Sequence, residues 1–329
     1  MKVLVTGATG FVGSHLLPAL ERGGHSLTLP VRDSGAEARL PKSIAPNTRR
    51  LLVIGEIHAG TDWREALRDV DAVIHLAARA HVLDETAEDE EAFMSVNARG
   101  TSQLVEQSIE AGVRRFILMS SIGAVTASSD RLVTLDTPCK PETPYGRSKL
   151  AAERVLIDQS RGTNLVWTIL RPTLVYGPGN PGNMGRLVRL VRRGLPLPLG
   201  AVANRRSFTF VENLVEAVMM TLTHRNAADA VFLLGDGEDL STAELVRRIA
   251  TLTGSRTRLV SVPMPLLRGV ARGAEAIADA TGWSLPLDRA TLRRLESSLY
   301  VDIEPLYEKL GWTPPIGVDE GLGRMLAAP

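Results

Sequence analysis

Short apolar runs alternate with amphipathic stretches along the first 120 residues of the chain. The runs are rich in aliphatic and β-branched residues, and apolar positions in the stretches between them recur with helical spacing, as at 63–70 and 96–109. The runs predict strands at residues 2–6, 27–31, 51–54, 72–76 and 115–120. Strands that alternate with helices predict a parallel sheet covered by helices on both faces.

A glycine-rich turn joins the first predicted strand to the amphipathic stretch 14–22. Three glycines of this turn have distinct roles, at Gly7, Gly10 and Gly13. One permits the tight turn, one lets a pyrophosphate approach the backbone, and one lets helix and strand pack closely. The N-terminus of a helix attracts phosphate because its unpaired N–H groups and its dipole both favour an anion. The pattern predicts dinucleotide binding by a Rossmann-type, doubly wound α/β fold.

The regular alternation ends after Arg171 and Pro172. Glycine and proline cluster at 177–182 and 194–200, which indicates long loops. We therefore expect an NAD(P)-binding domain over residues 1–172, with a helix that begins near Tyr145 and a strand at 165–170. A smaller lobe over residues 173–329 is expected to be mainly substrate-binding. An apolar run at 230–234 predicts another strand, so a segment at about 205–235 is expected to return to the first domain.

The end of the second predicted strand bears on the choice of cofactor. An NAD site usually has an acidic residue there that accepts the ribose hydroxyls, whereas Val31 occupies that position here and Arg32 follows it. A guanidinium offers two parallel donors to a 2′-phosphate. The pair favours NADP(H), and Asp33, one residue later, keeps NAD as the alternative.

Tyr145 and Lys149 are four residues apart, so on a helix they share one face. A phenol has a pKa near ~10, and a neighbouring ammonium favours the phenolate and brings that pKa towards neutral pH. Ser120 and Ser121 follow a buried strand at its C-terminal end, where open α/β sheets place their ligands. We expect a serine hydroxyl, that of Ser121 in preference to Ser120, to hold a substrate oxygen while Tyr145 exchanges the proton.

Together these motifs resemble the extended short-chain dehydrogenase/reductase family, which includes nucleotide-sugar epimerases, dehydratases and dihydroflavonol reductases. The resemblance covers almost the whole chain. It implies that Tyr145 is the acid/base, that Lys149 binds the nicotinamide ribose and tunes the tyrosine, and that Ser121 polarises the reacting oxygen. The cofactor-binding residues predicted by the turn and the resemblance are Gly7, Thr9, Gly10, Phe11, Val12, Gly13, Arg32, Glu56, Ile57, Leu76, Ala77, Ala78, Asn97, Tyr145, Lys149 and Pro172.

The C-terminal lobe carries the features that predict the substrate. Residues 195–200 and 204–214 look like the segments by which nucleotide-sugar members of the family hold uracil and diphosphate, and the tail resembles surface-polysaccharide 4-epimerases and 4-ketoreductases. Because a guanidinium binds phosphate at two points, Arg206 is the best candidate for a diphosphate ligand. The alternative role of Arg206 is an ion pair with Glu212 or another carboxylate. The predicted substrate-binding residues are Ser121, Arg186, Leu199, Arg206 and Arg293.

Composition narrows the function classes. The chain has 329 residues, of which 44% are hydrophobic, and this suffices for a full core. Thirty-eight basic and 37 acidic residues leave a net charge of +1, so no overall positive field attracts nucleic acid or an anionic membrane, and we expect neither partner. Any anion site must be local. Arg186, Arg189 and Arg193 share a helix face, which in the simplest interpretation is solvated.

The remaining polar residues indicate no metal site. The six histidines lack metal-ligand spacing, and His75, within an apolar strand, is interpreted as a core residue. Six carboxylates within residues 84–91 are interpreted as a solvated loop or helix start. Three features predict a cytoplasmic location: the single cysteine, the absence of a signal-peptide core, and the lack of an apolar run that could span a membrane. The resemblance adds the expectation of a homodimer.

Two hydride-transfer reactions at C4 of a nucleotide-linked sugar, a UDP-sugar in the simplest case, suit these residues. An epimerase oxidises and then reduces the same substrate and profits from retained NAD, whereas a reductase takes fresh NADPH in each turnover. Arg32 beside Val31 favours 4-keto reduction with Tyr145 as proton donor, and UDP-sugar 4-epimerisation is the alternative. Reduction of a non-nucleotide ketone would leave Arg206 without a role. A non-catalytic NADP-binding sensor, from a different class, would not need the predicted catalytic residues.

Overall fold

The computed structural model describes residues 1–80, 89–180, 182–269, 272 and 289–327. Its strands are β1 (Lys2–Thr6), β2 (Ser26–Val31), β3 (Arg49–Val53), β4 (Ala72–His75), β5 (Arg115–Met119), β6 (Val166–Pro172), β7 (Leu174–Tyr176), β8 (Arg206–Phe210), β9 (Ala230–Leu234) and β10 (Asp239–Leu240). Its α-helices are α1 (Phe11–Arg22), α2 (Asp89–Phe93), α3 (Gly100–Glu110), α4 (Pro144–Ser160), α5 (Asn183–Arg192), α6 (Val211–Thr223), α7 (Thr242–Thr253), α8 (Arg289–Glu296), α9 (Glu304–Leu310) and α10 (Val318–Ala327).

Seven strands form one parallel sheet in the order β3-β2-β1-β4-β5-β6-β9. Its interior strands are buried on both faces: in β1, Val3 and Val5 pack into one helix layer and Leu4 into the other. The chain extends the sheet from β1 towards one edge and then, from β4, towards the other. Ligands bind at such a reversal, beyond the carboxyl ends of the strands, here at Thr6 and His75. The predicted doubly wound α/β fold is confirmed.

A second, smaller sheet in the order β10-β8-β7 lies in the C-terminal half. α5, α7 and α10 surround it and share a core with Tyr176, Phe208 and Phe210. α7 begins at a capping box in which Ser241 and Glu244 each bind the other's backbone N–H group. β9 leaves this half of the chain and pairs in parallel with β6 at the edge of the large sheet.

One predicted helix is wrong, and one acidic stretch is only partly described. Residues 63–70 form turns in place of a helix. Leu67 N donates to Trp63 O, as in one turn of a helix. Asp69 then takes a φ of 59°, which ends the helical turn and leads the chain into β4. In the acidic stretch, residues 89–91 open α2, and residues 84–88 lie outside the described part of the chain. Within the described ranges, no helix is both long and apolar enough to cross a membrane.

Candidate active site

The turn after β1 leaves its backbone accessible to a ligand. Gly7 has a φ of +70°, and a Cβ atom there would lie 2.8 Å from the backbone nitrogen of Ala77. A Cβ atom on Gly13 would lie 2.3 Å from the carbonyl oxygen of Gly7, so only glycine lets α1 come this close to the turn. Gly10 caps α1 without a side-chain hydrogen bond to the first N–H groups of the helix. These groups and the positive end of the helix dipole suit a pyrophosphate.

A cavity of about 580 Å³ opens beside this turn, a size typical of cofactor sites. Eight of the predicted cofactor-binding residues line it, namely Gly7, Thr9, Gly10, Arg32, Glu56, Ile57, Ala77 and Ala78. Its wall also includes Arg39 and Arg79, which no sequence motif marks. The glycine turn, the helix terminus and the cavity together fit a dinucleotide.

The other predicted cofactor residues lie outside the wall of this cavity. Phe11, Val12 and Gly13 form the first turn of α1. They lie directly behind the glycine turn that follows β1, which we call the phosphate turn. Leu76 packs against the core at the end of β4, and Pro172 is the last residue of β6. The remaining three are a buried asparagine and the two predicted catalytic residues of α4, described below. The structure thus brings the predicted set to one end of the sheet but places only part of it on the cavity surface.

Charged side chains line the cavity where β2 ends. Arg32 Nε lies 3.9 Å from Glu56 Oε1, and both side chains are largely exposed. Arg39 Nη2 donates to both carboxylate oxygens of Asp33, at 3.2 and 3.0 Å, and this interaction lowers the pKa of Asp33. Two arginines and two carboxylates therefore share this end of the cavity, which offers partners to ribose hydroxyls and to a 2′-phosphate.

A one-way chain of hydrogen bonds passes through His75 behind the phosphate turn. Ala77 N donates to Thr6 Oγ1, which lies 2.7 Å from His75 Nδ1. His75 Nε2 lies 3.0 Å from Thr101 Oγ1, and that hydroxyl donates to Asn97 O. Because Thr101 uses its only proton on Asn97, Nε2 carries the ring proton and Nδ1 accepts. Burial lowers the pKa of His75 to about 3, so the ring is neutral, and its interpretation as a core histidine is confirmed.

Asn97 lies in a π-helical segment, Met94–Arg99, between α2 and α3. Its side chain is 1% exposed, accepts from Arg79 N, and donates to Arg79 O and Ser148 Oγ. The amide therefore holds the loop that carries Arg79 into the cavity wall. It also ties that loop to α4, since Ser148 lies between the two predicted catalytic residues of the helix. Asn97 supports the cavity from behind and is not part of its surface.

Tyr145 is in the first turn of α4. Thr143 caps this helix by accepting from Gly146 N at 3.0 Å, and Pro144 provides the fixed φ that suits a first helical residue. The phenol ring is partly exposed and stands edge-on to Phe93, with ring centroids 6.1 Å apart. Packing therefore orients the ring, and its exposed part is accessible to a ligand.

Lys149 is a buried cation one turn further along α4. Its side chain is 2% exposed, and Nζ donates to the carbonyl oxygen of Met119 at 2.6 Å. Burial lowers the pKa of Lys149 to about 8, although the carboxylate of Glu153 acts in the opposite direction. A cation held in a site with little water acts strongly on a neighbouring phenol.

Ser120 and Ser121 have different surroundings. Ser120 is 3% exposed, and its hydroxyl donates to the carboxylate of Glu153. Ser121 is partly exposed, and its Oγ caps a short 3₁₀ turn by accepting from Gly123 N at 3.1 Å. A Cβ atom on Gly123 would lie 3.3 Å from Ser121 Oγ and 3.9 Å from Tyr145 Cδ1, so this turn brings the serine close to the phenol ring.

A buried ion pair beneath these groups is absent from the sequence prediction. Arg171 donates to Glu153 at two points, from Nε at 3.0 Å and from Nη2 at 2.6 Å, and both residues are less than 10% exposed. Glu153 lies one turn after Lys149, and it also accepts from Ser120. The pair thus ties α4 to the ends of β5 and β6. In the sequence, only the four-residue spacing from Lys149 to Glu153 hints at this role, and nothing there marks Arg171 as the partner.

The predicted substrate residues fall into separate groups. Arg206, at the start of β8, is partly buried, and its Nη1 lies 3.3 Å from Ser297 Oγ, just beyond the end of α8. Arg293 is exposed, and its carbonyl oxygen accepts from Ser297 N at 2.9 Å, so the backbone of Arg293 lies one helical turn before the residue that Arg206 contacts. Arg186 is exposed in the first turn of α5. Leu199 is 5% exposed and belongs to the core of the smaller sheet, so its side chain is unavailable to a ligand.

Comparison with known proteins finds one matching family and relatives that cover almost the whole chain. Residues 3–235 match the NAD dependent epimerase/dehydratase family. A UDP-glucose 4-epimerase of Vibrio cholerae is 37% identical over 97% of this chain and 92% of its own. An N-acetyl-alpha-D-glucosaminyl-diphospho-ditrans,octacis-undecaprenol 4-epimerase of Escherichia coli O157:H7 is 26% identical over 98% of this chain and 94% of its own. The solved structure of MoeE5 in complex with UDP-glucuronic acid and NAD is 30% identical, with a TM-score of 0.76, and the match covers 99% of this chain and 98% of MoeE5.

The family match spans the phosphate turn, the cavity and the helix that carries Tyr145 and Lys149. The predicted enzyme class is therefore confirmed, and the alternative of a non-catalytic sensor loses its support. The prediction of an NAD(P)-dependent enzyme is also confirmed for NAD. The chain belongs to the NAD-dependent epimerase/dehydratase family and is an NAD-dependent enzyme of the short-chain dehydrogenase/reductase type.

Proposed function

We propose that the protein is a UDP-sugar 4-epimerase. The observation that carries this proposal is its 37% identity to a UDP-glucose 4-epimerase over 97% of the chain. The arrangement of Tyr145, Lys149 and Ser121 near a dinucleotide cavity supports the same reaction. MoeE5, whose structure holds UDP-glucuronic acid and NAD, supports a UDP-linked substrate. Epimerisation, the alternative in the sequence prediction, is thus better supported than 4-keto reduction.

In this proposal the side chains of the protein transfer the proton and orient the sugar. NAD, held at the glycine turn and the cavity beside it, would supply a reversible hydride acceptor for C4 of the sugar. Tyr145, as the phenolate, takes the proton of the C4 hydroxyl and later returns it to the same oxygen. Lys149 favours the phenolate through its positive charge. Ser121 donates a hydrogen bond to the sugar oxygen and keeps it within reach of Tyr145.

The diphosphate of the substrate would lie between the sheet end and the C-terminal lobe. Arg206 contacts Ser297, one helical turn after Arg293, and two guanidinium groups can share one diphosphate. Glu212, considered as a partner of Arg206, forms an ion pair with Arg324. Arg186, in the first turn of α5, would provide a third positive charge.

A second candidate, 4-keto reduction with NADPH, has one observation in its favour. Arg32 and Arg39 both line the cavity at the end of β2, and each could leave its carboxylate partner to bind a 2′-phosphate. Against this, an epimerase regenerates its cofactor in every turnover and has no need of the NADPH pool. We therefore expect NAD(H) in the site and weaker binding of NADP(H) at the same place.

The purified protein should be incubated with UDP-glucose, UDP-N-acetylglucosamine and UDP-glucuronic acid without added cofactor. Proton NMR of the sugar ring reports inversion at C4, and the proposal expects it for at least one of the three substrates. A parallel assay follows NADPH absorbance with a UDP-linked 4-keto-6-deoxy sugar. Consumption of NADPH there, with no inversion of any of the three sugars, would replace epimerisation by reduction. The nucleotide released on denaturation identifies the resident cofactor.

A further inference from the structure

Two arginine-rich segments of the C-terminal half contain no carboxylate. Residues 183–200 and 254–269 hold seven arginines and neither Asp nor Glu, in a chain whose 38 basic and 37 acidic residues nearly balance overall. All seven are exposed, namely Arg186, Arg189, Arg192, Arg193, Arg256, Arg258 and Arg268. The proposed nucleotide site uses one of them, Arg186. The net charge of +1 therefore conceals a local basic region.

Hydrogen bonds join the two segments into one surface. Leu197 N donates to Arg258 O at 2.9 Å, and Val260 N donates to Leu197 O at 2.9 Å. At the end of α5, Val191 O accepts from Ser255 Oγ at 2.6 Å. The end of α5 and the loop that follows it therefore lie directly against the second segment. A Cβ atom on Gly194 would lie 3.9 Å from Arg256 Cβ, so Arg192 and Arg193 are next to the backbone segment that carries Arg256 and Arg258.

The pairing separates apolar core residues from exposed ones. Leu197 is 6% exposed, and it packs into the core of the smaller sheet together with its bridge partner Leu259. The neighbours of Leu259 in the sequence, Arg258 and Val260, are exposed, as is Leu195, whose exposed fraction is 53%. We name the exposed residues of this surface the basic ridge, which consists of Arg192, Arg193, Leu195, Arg256, Arg258 and Val260.

We propose that the basic ridge docks the protein on an anionic lipid bilayer. Arginines beside exposed aliphatic side chains suit such a surface, because the charges attract anionic headgroups while the apolar groups enter the boundary of the hydrocarbon. Leu266, six residues after Val260 in the sequence, is a further exposed aliphatic side chain of the second segment, with an exposed fraction of 62%. Arg268 contributes less, because it forms an ion pair with Glu296. This proposal goes beyond the epimerase activity and departs from the expectation of no membrane partner, which rested on a net charge averaged over the whole chain.

Co-sedimentation with two kinds of vesicle tests the proposal. One is phosphatidylcholine alone, and the other contains phosphatidylcholine and phosphatidylglycerol in equal amounts. The full chain should bind the second kind and not the first, and added salt should weaken the binding. Each arginine near an anionic surface contributes roughly fivefold to partitioning, so Arg256→Gln/Arg258→Gln should reduce it about 25-fold. Leu195→Ser/Val260→Ser should weaken the binding that persists at high salt.

The matched control changes the same charge elsewhere. Arg68→Gln/Arg225→Gln removes two exposed arginines outside the ridge and should leave vesicle binding within about twofold of the original. Equal weakening by both arginine pairs, or no binding to either vesicle, would overturn the proposal. Release from vesicles by UDP at matched ionic strength would assign the arginines to the nucleotide site instead. Self-association that depends on the ridge, measured by sedimentation without lipid, would identify a second copy of the chain as the occupant.

Discussion

Lys149 Nζ donates a 2.6 Å hydrogen bond to the carbonyl oxygen of Met119, the last residue of β5. This bond ties α4 to the strand end that continues directly into Ser120 and Ser121. The ammonium is thereby held in a fixed position relative to the phenol one helical turn earlier and to the serine hydroxyl. A charge that is already in place needs no reorganisation when the reaction begins.

Lys149→Met should remove most of the activity without unfolding the protein. The phenolate of Tyr145 loses the cation that favours it, so we expect kcat to fall by about 10²- to 10⁴-fold. The melting temperature should hold or rise, because methionine fills a similar volume without a buried charge. Steady-state kinetics and thermal melts measure both effects, with Lys140→Met, an exposed lysine in the loop before α4, as the control. A folded Lys149→Met protein with normal kcat would remove Lys149 from the mechanism.

The pH profile of kcat/KM should have an alkaline limb set by Lys149. Burial lowers the pKa of this lysine from 10.5 to about 8, so above that pH the free enzyme loses the ammonium and its effect on Tyr145. Glu153 raises the pKa of Lys149, so Glu153→Gln should move the limb to lower pH. Glu142→Gln, at an exposed position just before α4, should leave it in place. A limb that moves to higher pH in Glu153→Gln contradicts this assignment.

Arg171→Met should destabilise the protein by about 3–5 kcal/mol, because it leaves the carboxylate of Glu153 buried without its partner. Replacing both charges, in Arg171→Met/Glu153→Met, should recover most of the loss, since no unpaired charge remains. Urea unfolding of the two variants and the original protein measures the differences. If the double variant is as unstable as the single one, the pair stabilises the fold by more than its desolvation cost.

Gly7→Ala should impair cofactor binding more than it impairs stability. The new Cβ atom would lie 2.8 Å from Ala77 N, in the wall of the cavity, and would sit at a φ of +70°. Gly24→Ala provides a matched control, since Gly24 has a φ of +72° but no atom within 4 Å of a Cβ. Both variants should lose about 1–2 kcal/mol of stability from the backbone strain, and Gly7→Ala should lose more because its Cβ also meets the backbone of Ala77. Titration with NAD(H) should show weaker binding in Gly7→Ala alone, and equal affinities in the two variants would contradict the role of the turn.

The sequence predicts most of the sheet because its strands are buried on both faces and therefore appear as continuous apolar runs. β1 and β9 match their predicted bounds, whereas β3 and β6 differ by a few residues at their ends. The segment 63–70 is misleading for a physical reason: its apolar residues fill the core at helical spacing, but the short connection to β4 forces turns.

The candidate site is predictable where one short motif contains the whole arrangement. The glycine turn and the Tyr145–Lys149 spacing are of this kind. Two other contacts cannot be predicted in this way, because each joins residues that are distant in sequence. They are the hydrogen bonds between Asn97 and Arg79 and the ion pair of Arg171 and Glu153. Only the folded chain shows that such groups meet. Net charge likewise carries no information about where the arginines lie in the folded chain.

The most direct test of the central claim is Tyr145→Phe, which removes one hydroxyl and leaves the ring in place. Two quantities are measured on this variant: the rate of C4 inversion of a UDP-sugar by NMR, and the affinity for NAD(H) by titration. The account predicts that the rate falls by about 10²- to 10⁴-fold while the affinity is unchanged. Inversion at the original rate by Tyr145→Phe would show that another group carries the proton and would contradict the account.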